Sequence, residues 1–142
     1  IMKKIILILL LIPFFGISQT SDYQLDSKTP ENVVNALFYV ALSQDFTLLG
    51  QLCDPEGEGD GDTQQLCALS LYNKVASAGD NLTRENFTLA FINGKIDEGK
   101  IKSLSLKDGI STASVPILFM QGNKTETINL IEREGKWYLS SF

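Results

Sequence analysis

From Lys100 to Phe142, apolar and polar residues alternate in four stretches that are separated by short glycine-containing segments. This alternation is typical of β-strands with one buried face, and tight turns between them make neighbouring strands antiparallel. The predicted strands span residues 100–107, 110–120, 124–133 and 137–142. Pro116 has no amide hydrogen, which predicts a bend, a bulge or an edge position in its strand.

Upstream of these strands, apolar residues recur at spacings of three and four, as is typical of helices with one apolar face. Thr29 and Pro30 predict the start of a first helix, because threonine can cap it and proline suits its first turn. Asp45 predicts the cap of a short second helix over residues 46–53.

The stretch between residues 81 and 96 is ambiguous in its pattern. Phe87, Leu89 and Phe91 alternate with polar or small residues, and an Asn-Gly pair at 93–94 is a hairpin-turn signal. These two signals favour a strand. A helix that begins at Thr83 is the alternative.

The arrangement of these elements predicts a fold class. A third helix should begin at Asp62, in a capping-box pattern, and end at Gly79. Residues 19–28 are polar and without period, which predicts a flexible leader. Residues 29–142 therefore form a single α+β domain in which N-terminal helices pack on a curved antiparallel sheet.

Residues 1–18 have the pattern of a secretory signal, with Lys3 and Lys4, an apolar run and a small-residue cleavage site. The run is shorter than the roughly twenty residues that a stable membrane anchor needs, so we expect cleavage and export to the periplasm or beyond. The chain has a formal net charge of -5, and no segment of it clusters basic residues. A nucleic-acid partner is therefore disfavoured.

Cys53 and Cys67 are the two cysteines of the chain. In an exported protein they predict a disulfide between the end of one helix and the start of the next. Two buried free thiols are the alternative. A catalytic pair is disfavoured, because the spacing is not Cys-x-x-Cys and the chain has no histidine.

An acidic, glycine-rich segment lies between the two cysteines, with carboxylates at Asp54, Glu56, Glu58, Asp60 and Asp62. Converging carboxylates are what Ca²⁺ requires, so these five residues are candidate metal ligands. The segment lacks the glycine and the final glutamate that are diagnostic of a calcium-binding loop. A solvated hinge loop is the simpler interpretation.

Three short motifs carry a resemblance to a known family: Thr29-Pro-Glu-Asn-Val-Val, Ser43-Gln-Asp-Phe and Glu134-Gly-Lys-Trp-Tyr. In this order, before and within a terminal β-meander, they resemble the nuclear transport factor 2-like superfamily, also called SnoaL-like or cystatin-like. The resemblance extends over residues 29–142 and is closest to small exported bacterial members of unknown function. It implies a cone-shaped sheet around helices, with an apolar pocket at the open end.

The resemblance also implies where a ligand would lie. The aromatic candidates for the pocket wall are Phe38, Tyr39, Tyr72, Phe91, Phe119 and Trp137. The leading hypothesis is an exported, non-enzymatic binding or interaction domain without cofactor, whose partner is a small apolar ligand or an envelope protein. One alternative is an isomerase- or dehydratase-type enzyme that uses a tyrosine or Asp45 in the pocket, although no catalytic residue is assigned. The other is a calcium-binding surface protein.

Many members of the superfamily that this chain resembles dimerise through the outer face of the sheet. Here Thr112, Ser114, Thr127 and Asn129 make that face polar, which predicts a monomer or a weak homodimer.

Overall fold

A computed structural model describes residues 23–57, 59–71, 78–98, 103–120 and 122–141. Helices precede strands in these ranges, as the sequence predicts. The helical elements are α1 (Pro30–Ser43), a 3₁₀ turn (Phe46–Leu48) that runs into α2 (Leu49–Leu52), α3 (Gly61–Leu71) and α4 (Ala78–Phe91). The strands are β1 (Lys95–Ile96), β2 (Ser103–Lys107), β3 (Ile110–Phe119), β4 (Lys124–Arg133) and β5 (Lys136–Ser141).

Two of the predicted helix starts are confirmed by their caps. The Thr29 hydroxyl accepts a hydrogen bond of 3.2 Å from the backbone N–H of Asn32. The Asp45 carboxylate accepts one of 3.3 Å from the N–H of Thr47, at the start of the 3₁₀ turn. Each side chain thereby satisfies a first-turn donor that has no partner within its own helix.

The prediction for the third helix is wrong at its start. The Asp60 carboxylate accepts a hydrogen bond of 2.8 Å from the N–H of Thr63, so Asp60 caps α3 and Asp62 lies inside its first turn. The predicted stop at Gly79 is also wrong, because Gly79 belongs to α4. The predicted helix thus spans parts of two helices.

The preference for a strand between residues 81 and 96 is wrong for most of that stretch. The helical alternative is correct in type, although α4 begins at Ala78 and not at Thr83. Phe87 and Phe91, one helical turn apart, are both 5% exposed, whereas Leu89 between them is 64% exposed. That difference fits the period of a helix and excludes a strand with one buried face. Asn93, with a positive φ of 58°, follows the helix end, and β1 begins at Lys95.

The five strands of the described ranges form one antiparallel sheet, which confirms the α+β class. Its order is β1-β3-β4-β5, and β2 pairs with β3 beside β1. Two of the tight turns, at 108–109 and 134–135, place both central residues at positive φ, which matches the twist of a hairpin.

One face of the sheet packs on the helices. From the sheet, Val115, Ile117, Ile128, Leu130 and Leu139 are fully buried. From α1, the fully buried residues of its apolar stripe face them: Val33, Val34, Leu37, Val40 and Ala41. Leu42, which helical spacing also predicts for this stripe, is 66% exposed. The burial of this stripe stabilises α1 by tertiary packing far more than helix propensity could.

The opposite face of the sheet carries hydroxyl and amide side chains that bind one another across strands. Ser114 donates to the Asn129 side-chain carbonyl at 2.7 Å, and the Asn129 amide donates to Ser141 at 2.8 Å. Ser105 and Thr112 lie 2.6 Å apart, oxygen to oxygen. These cross-strand pairs stabilise the register of β2, β3, β4 and β5.

The outer edge of β5 is covered by three separate segments. Trp137 donates its backbone N–H to the carbonyl of Ser27, and Asp60 donates its own to the carbonyl of Ser140. Cys53 forms a bridge with Leu139 between them. Residues 23–28, which belong to the predicted leader, have no regular secondary structure, yet Tyr23 and Leu25 pack against the core.

Pro116 lies inside β3, between the part that pairs with β2 and the part that pairs with β1. Its carbonyl accepts from the N–H of Asp97, so its nitrogen faces the β1 side and no hydrogen bond to β4 is lost.

None of the helices within the described ranges combines the length and the hydrophobicity that a bilayer crossing requires.

Candidate functional site

A cavity of about 490 Å³ opens where α3 and α4 meet the end of the sheet, and we call it the aromatic cleft. α3 contributes Asp62, Gln65 and Leu66 to its lining. These residues are three and four positions apart, so they form one face of the helix. The sheet contributes Phe119 from β3 and Glu126 from β4.

α4 supplies the largest part of the lining of the aromatic cleft. Its residues there recur at helical spacing and form one face: Thr83, Asn86, Phe87, Ala90 and Phe91. Leu89 and Arg84 lie off this face and border another surface, where the Arg84 guanidinium lies 5.2 Å from the centroid of the Phe46 ring. The positive charge of α4 is therefore turned away from the cleft.

Three phenylalanine rings form the floor of the aromatic cleft. The centroids of Phe87 and Phe91 are 4.9 Å apart, and those of Phe91 and Phe119 are 6.2 Å apart. Phe46 and Phe38 extend this cluster into the core, at 5.9 Å from Phe87 and 6.4 Å from Phe91. The ring contacts hold the floor in place, because tilted aromatic pairs at these distances attract one another.

The rim of the aromatic cleft carries two exposed carboxylates, Asp62 and Glu126. Glu126 pairs with Ile117 in the register of β3 and β4, so it lies on the face of the sheet that the helices cover. It is close to the start of β4 and is exposed, whereas Ile117 opposite it is fully buried. None of the described residues that line the cleft is a lysine or an arginine.

A larger cleft of about 770 Å³ lies beside β5, and we call it the edge cleft. Its walls are the segment 25–28, the end of α2 with the turn that follows, one face of α3, and β5. The disulfide between Cys53 and Cys67 lines it, with a Cα–Cα distance of 5.9 Å. This bridge confirms the predicted pairing.

Asp54, which lines the edge cleft, belongs to a group of charged side chains that bind one another. Arg133 donates to both Asp54 carboxylate oxygens, from Nε at 3.2 Å and from Nη2 at 3.0 Å. Its Nη1 lies 2.9 Å from a carboxylate oxygen of Glu56. The Asp54 carboxylate also accepts a hydrogen bond from the backbone N–H of Glu56. The backbone N–H of Gly57 donates to the Asp54 carbonyl and so closes a turn.

The structure gives three of the five predicted metal ligands other partners. Asp54 and Glu56 contact Arg133, and Asp60 caps α3. Asp62 lies on the rim of the aromatic cleft, and Glu58 falls outside the described residues. Within the described ranges, no three acidic or cysteine side chains are grouped as metal ligands would be. Calcium binding stays a prediction.

The six predicted pocket residues do not share one cavity. Phe91 and Phe119 line the aromatic cleft, and Phe38 lies behind it in the core. Trp137, 8% exposed, belongs to the core beside the segment that contains Ser27. Tyr39 stacks on Tyr23, with ring centroids 4.0 Å apart. Tyr72 falls outside the described residues.

Among the described residues, the groups considered for catalysis lie apart from the aromatic cleft. Asp45 caps the 3₁₀ turn, and Tyr138 lines the edge cleft. Burial raises the pKa of the Tyr23 hydroxyl, and the neighbouring Tyr39 raises it further. Both effects keep the Tyr23 hydroxyl protonated, since they disfavour the phenolate.

Two residues of the aromatic cleft were missed as site residues although the sequence contained a signal for each. The alternating pattern favours a strand for Phe87, whereas helical spacing places Phe87 one turn before Phe91. Glu126 occupies a position that alternation with Ile128 and Leu130 assigns to the inner face of β4. A carboxylate at an inward position near a strand end is a recognisable sign of a cavity rim.

Comparison of the chain with protein-family models, with curated proteins and with solved structures gave no match. Function is therefore inferred from the geometry of the aromatic cleft.

Proposed function

We propose that this protein is a non-enzymatic binding domain that holds a small, largely apolar ligand in the aromatic cleft. The observation that carries the proposal is the floor of Phe87, Phe91 and Phe119, in which Phe91 contacts the other two rings and all three line an open cavity. Phe87 and Phe91 are each 5% exposed, so the partly buried Phe119 supplies most of the aromatic surface that a ligand would remove from water, which is favourable.

The size of the aromatic cleft supports the same proposal. About 490 Å³ lies within the range of roughly 300–1,000 Å³ that is usual for small-molecule sites. The edge cleft is larger, but Asp54, Glu56 and Arg133 beside it already satisfy one another. A ligand there would have to compete with these ion pairs.

We also propose that the protein works outside the cytoplasm and is related to the nuclear transport factor 2-like superfamily. The disulfide between Cys53 and Cys67 supports export, because such bonds persist in oxidising compartments. The order of helices before an antiparallel meander, with α1 packed on one sheet face, supports the relationship. A leader at residues 1–18 and a cone-shaped sheet belong to this proposal.

The binding proposal can be tested with N-phenyl-1-naphthylamine, a neutral dye whose emission rises in apolar surroundings. We expect the purified protein to bind one dye molecule. Ala90→Phe places a ring into the cleft from α4, and it should weaken binding by about tenfold or more, which corresponds to about 1.4 kcal/mol. Leu89→Phe, on the exposed side of the same helix, is the matched control and should bind the dye like the parent protein.

Two results would contradict the binding proposal. One is a parent protein that gives no increase in dye emission. The other is an Ala90→Phe variant that folds, as judged by circular dichroism, and still binds the dye with unchanged affinity.

A further inference from the structure

We infer that the ligand of the aromatic cleft is an amphipathic organic cation, that is, an amine or quaternary ammonium attached to an apolar body. This inference rests on the proposed binding function and names its ligand class. It comes from the combination of the two rim carboxylates with the aromatic floor.

Among the described residues that line the aromatic cleft, the charged side chains have one sign. Asp62 enters from the first turn of α3 and Glu126 from β4, so the carboxylates belong to two different walls. Arg84 faces Phe46 on another surface. Lys124 pairs with Phe119 in the register of β3 and β4 and lies two residues before Glu126, so it is close to this end of the sheet, but it is not among the residues that line the cleft. A cationic head group at the rim would meet two carboxylates, whereas an anionic one would be repelled.

The floor of the aromatic cleft favours an organic cation over a bare metal ion. The floor consists of phenylalanine rings, which supply no oxygen ligands, whereas Ca²⁺ and Mg²⁺ need six or more oxygens. Ring faces attract alkylammonium groups and also accept the apolar body of the ligand. One molecule with both parts therefore uses the rim and the floor together.

The test is a series of three ligands that share one alkyl chain and differ in the head group: hexyltrimethylammonium, hexanol and hexanoate. Binding to the purified protein is followed by the NMR shifts of the phenylalanine ring resonances. We expect the ammonium to bind about tenfold more tightly than the alcohol, and the carboxylate to bind more weakly than the alcohol. The ammonium preference should shrink as salt is added, because the rim carboxylates are exposed.

Variants distinguish the contribution of the rim carboxylates to ligand affinity from that of the floor rings. Asp62→Asn combined with Glu126→Gln should lower the affinity for the ammonium by about fivefold or more and leave the affinity for hexanol unchanged. Glu85→Gln combined with Glu134→Gln removes the same charge from exposed positions that do not line the cleft. This control should change neither affinity.

The possible outcomes distinguish this inference from the function on which it rests. If hexanol and the ammonium bind equally well, the protein is an apolar binder and the inference is overturned. An equal loss of ammonium affinity in the control pair would overturn it as well, because the preference would then reflect net charge alone. If none of the three ligands binds, the proposed function fails together with the inference.

Discussion

The edge cleft and the aromatic cleft differ in what their side chains already bind. Beside the edge cleft, a buried ion pair, a second ion pair and a disulfide join residues that are far apart in the chain. In the aromatic cleft, the rings contact one another, while the two rim carboxylates point to solvent. The larger cavity thus lies beside groups that bind one another, and the smaller one is the site that we propose for a ligand.

This difference predicts that substitutions beside the edge cleft will change stability more than binding, and that the aromatic cleft will show the reverse. The largest effect is expected for Arg133→Met. It removes both hydrogen bonds from the guanidinium to Asp54, whose side chain is 0% exposed. Loss of one partner of a buried pair costs about 3–5 kcal/mol in the free energy of unfolding, measurable by urea titration.

Lys136→Met is the matched control for Arg133→Met, because Lys136 pairs with Arg133 in the sheet register and is exposed. It should change stability by about 0.5 kcal/mol or less. A loss below about 1 kcal/mol in Arg133→Met would show that the pair does not stabilise the fold.

The disulfide should have the next largest effect. Cys53→Ser combined with Cys67→Ser opens a loop of sequence separation 14 and should lower the free energy of unfolding by about 3 kcal/mol. A reducing agent should destabilise the parent protein by a similar amount and leave the double variant unchanged. Equal stability of the oxidised and reduced parent would contradict this prediction.

Helix capping next to the edge cleft provides a smaller effect that distinguishes two neighbouring aspartates. Asp60→Ala removes the side-chain acceptor for the Thr63 N–H and should cost about 1 kcal/mol. Asp62→Ala, at an exposed position in the first turn, should cost about 0.5 kcal/mol or less. Thermal unfolding of both variants would show whether Asp60 is the cap.

The smallest effect on stability is expected in the aromatic cleft itself. Phe119 is only partly buried, so Phe119→Leu should lower the free energy of unfolding by about 1 kcal/mol or less. It removes one of the three rings of the floor and should weaken dye binding by several-fold. If Phe119→Leu were as destabilising as Arg133→Met, the predicted difference in stability effects between the two clefts would be wrong.

The sheet could be predicted from the sequence because its signals are local. Alternation in β3 and β4 assigned the inner face, and the Asp-Gly and Glu-Gly pairs at 108–109 and 134–135 marked turns that need positive φ. The bounds of β4 agree with the prediction at both ends. Each of these features depends on a few neighbouring residues, so no tertiary information was required.

The helical half was harder because tertiary packing decides which apolar residues are buried. Phe87, Leu89 and Phe91 alternate like a strand, and only the exposure of Leu89 in the fold reveals the helix. The cap of α3 posed a similar problem, since Asp60 and Asp62 both precede helix-forming residues. The hydrogen bond to Thr63 distinguishes them.

The aromatic cleft could be predicted only in part. The resemblance supplied Phe91 and Phe119 as aromatic candidates, but the packing of α3 against α4 brings Asp62 and Phe87 to the same cavity. The buried pair of Asp54 with Arg133 joins residues that are 79 positions apart in the chain. Such long-range pairing leaves no local signal in the sequence.

The position of Pro116 has a consequence for aggregation. Between the parts of β3 that pair with β1 and β2, Pro116 is the residue whose backbone faces outward. It has no amide hydrogen to offer, and its carbonyl already accepts from Asp97. A foreign strand that approached Pro116 would find neither a donor nor an unpaired acceptor at this residue, which disfavours strand addition there.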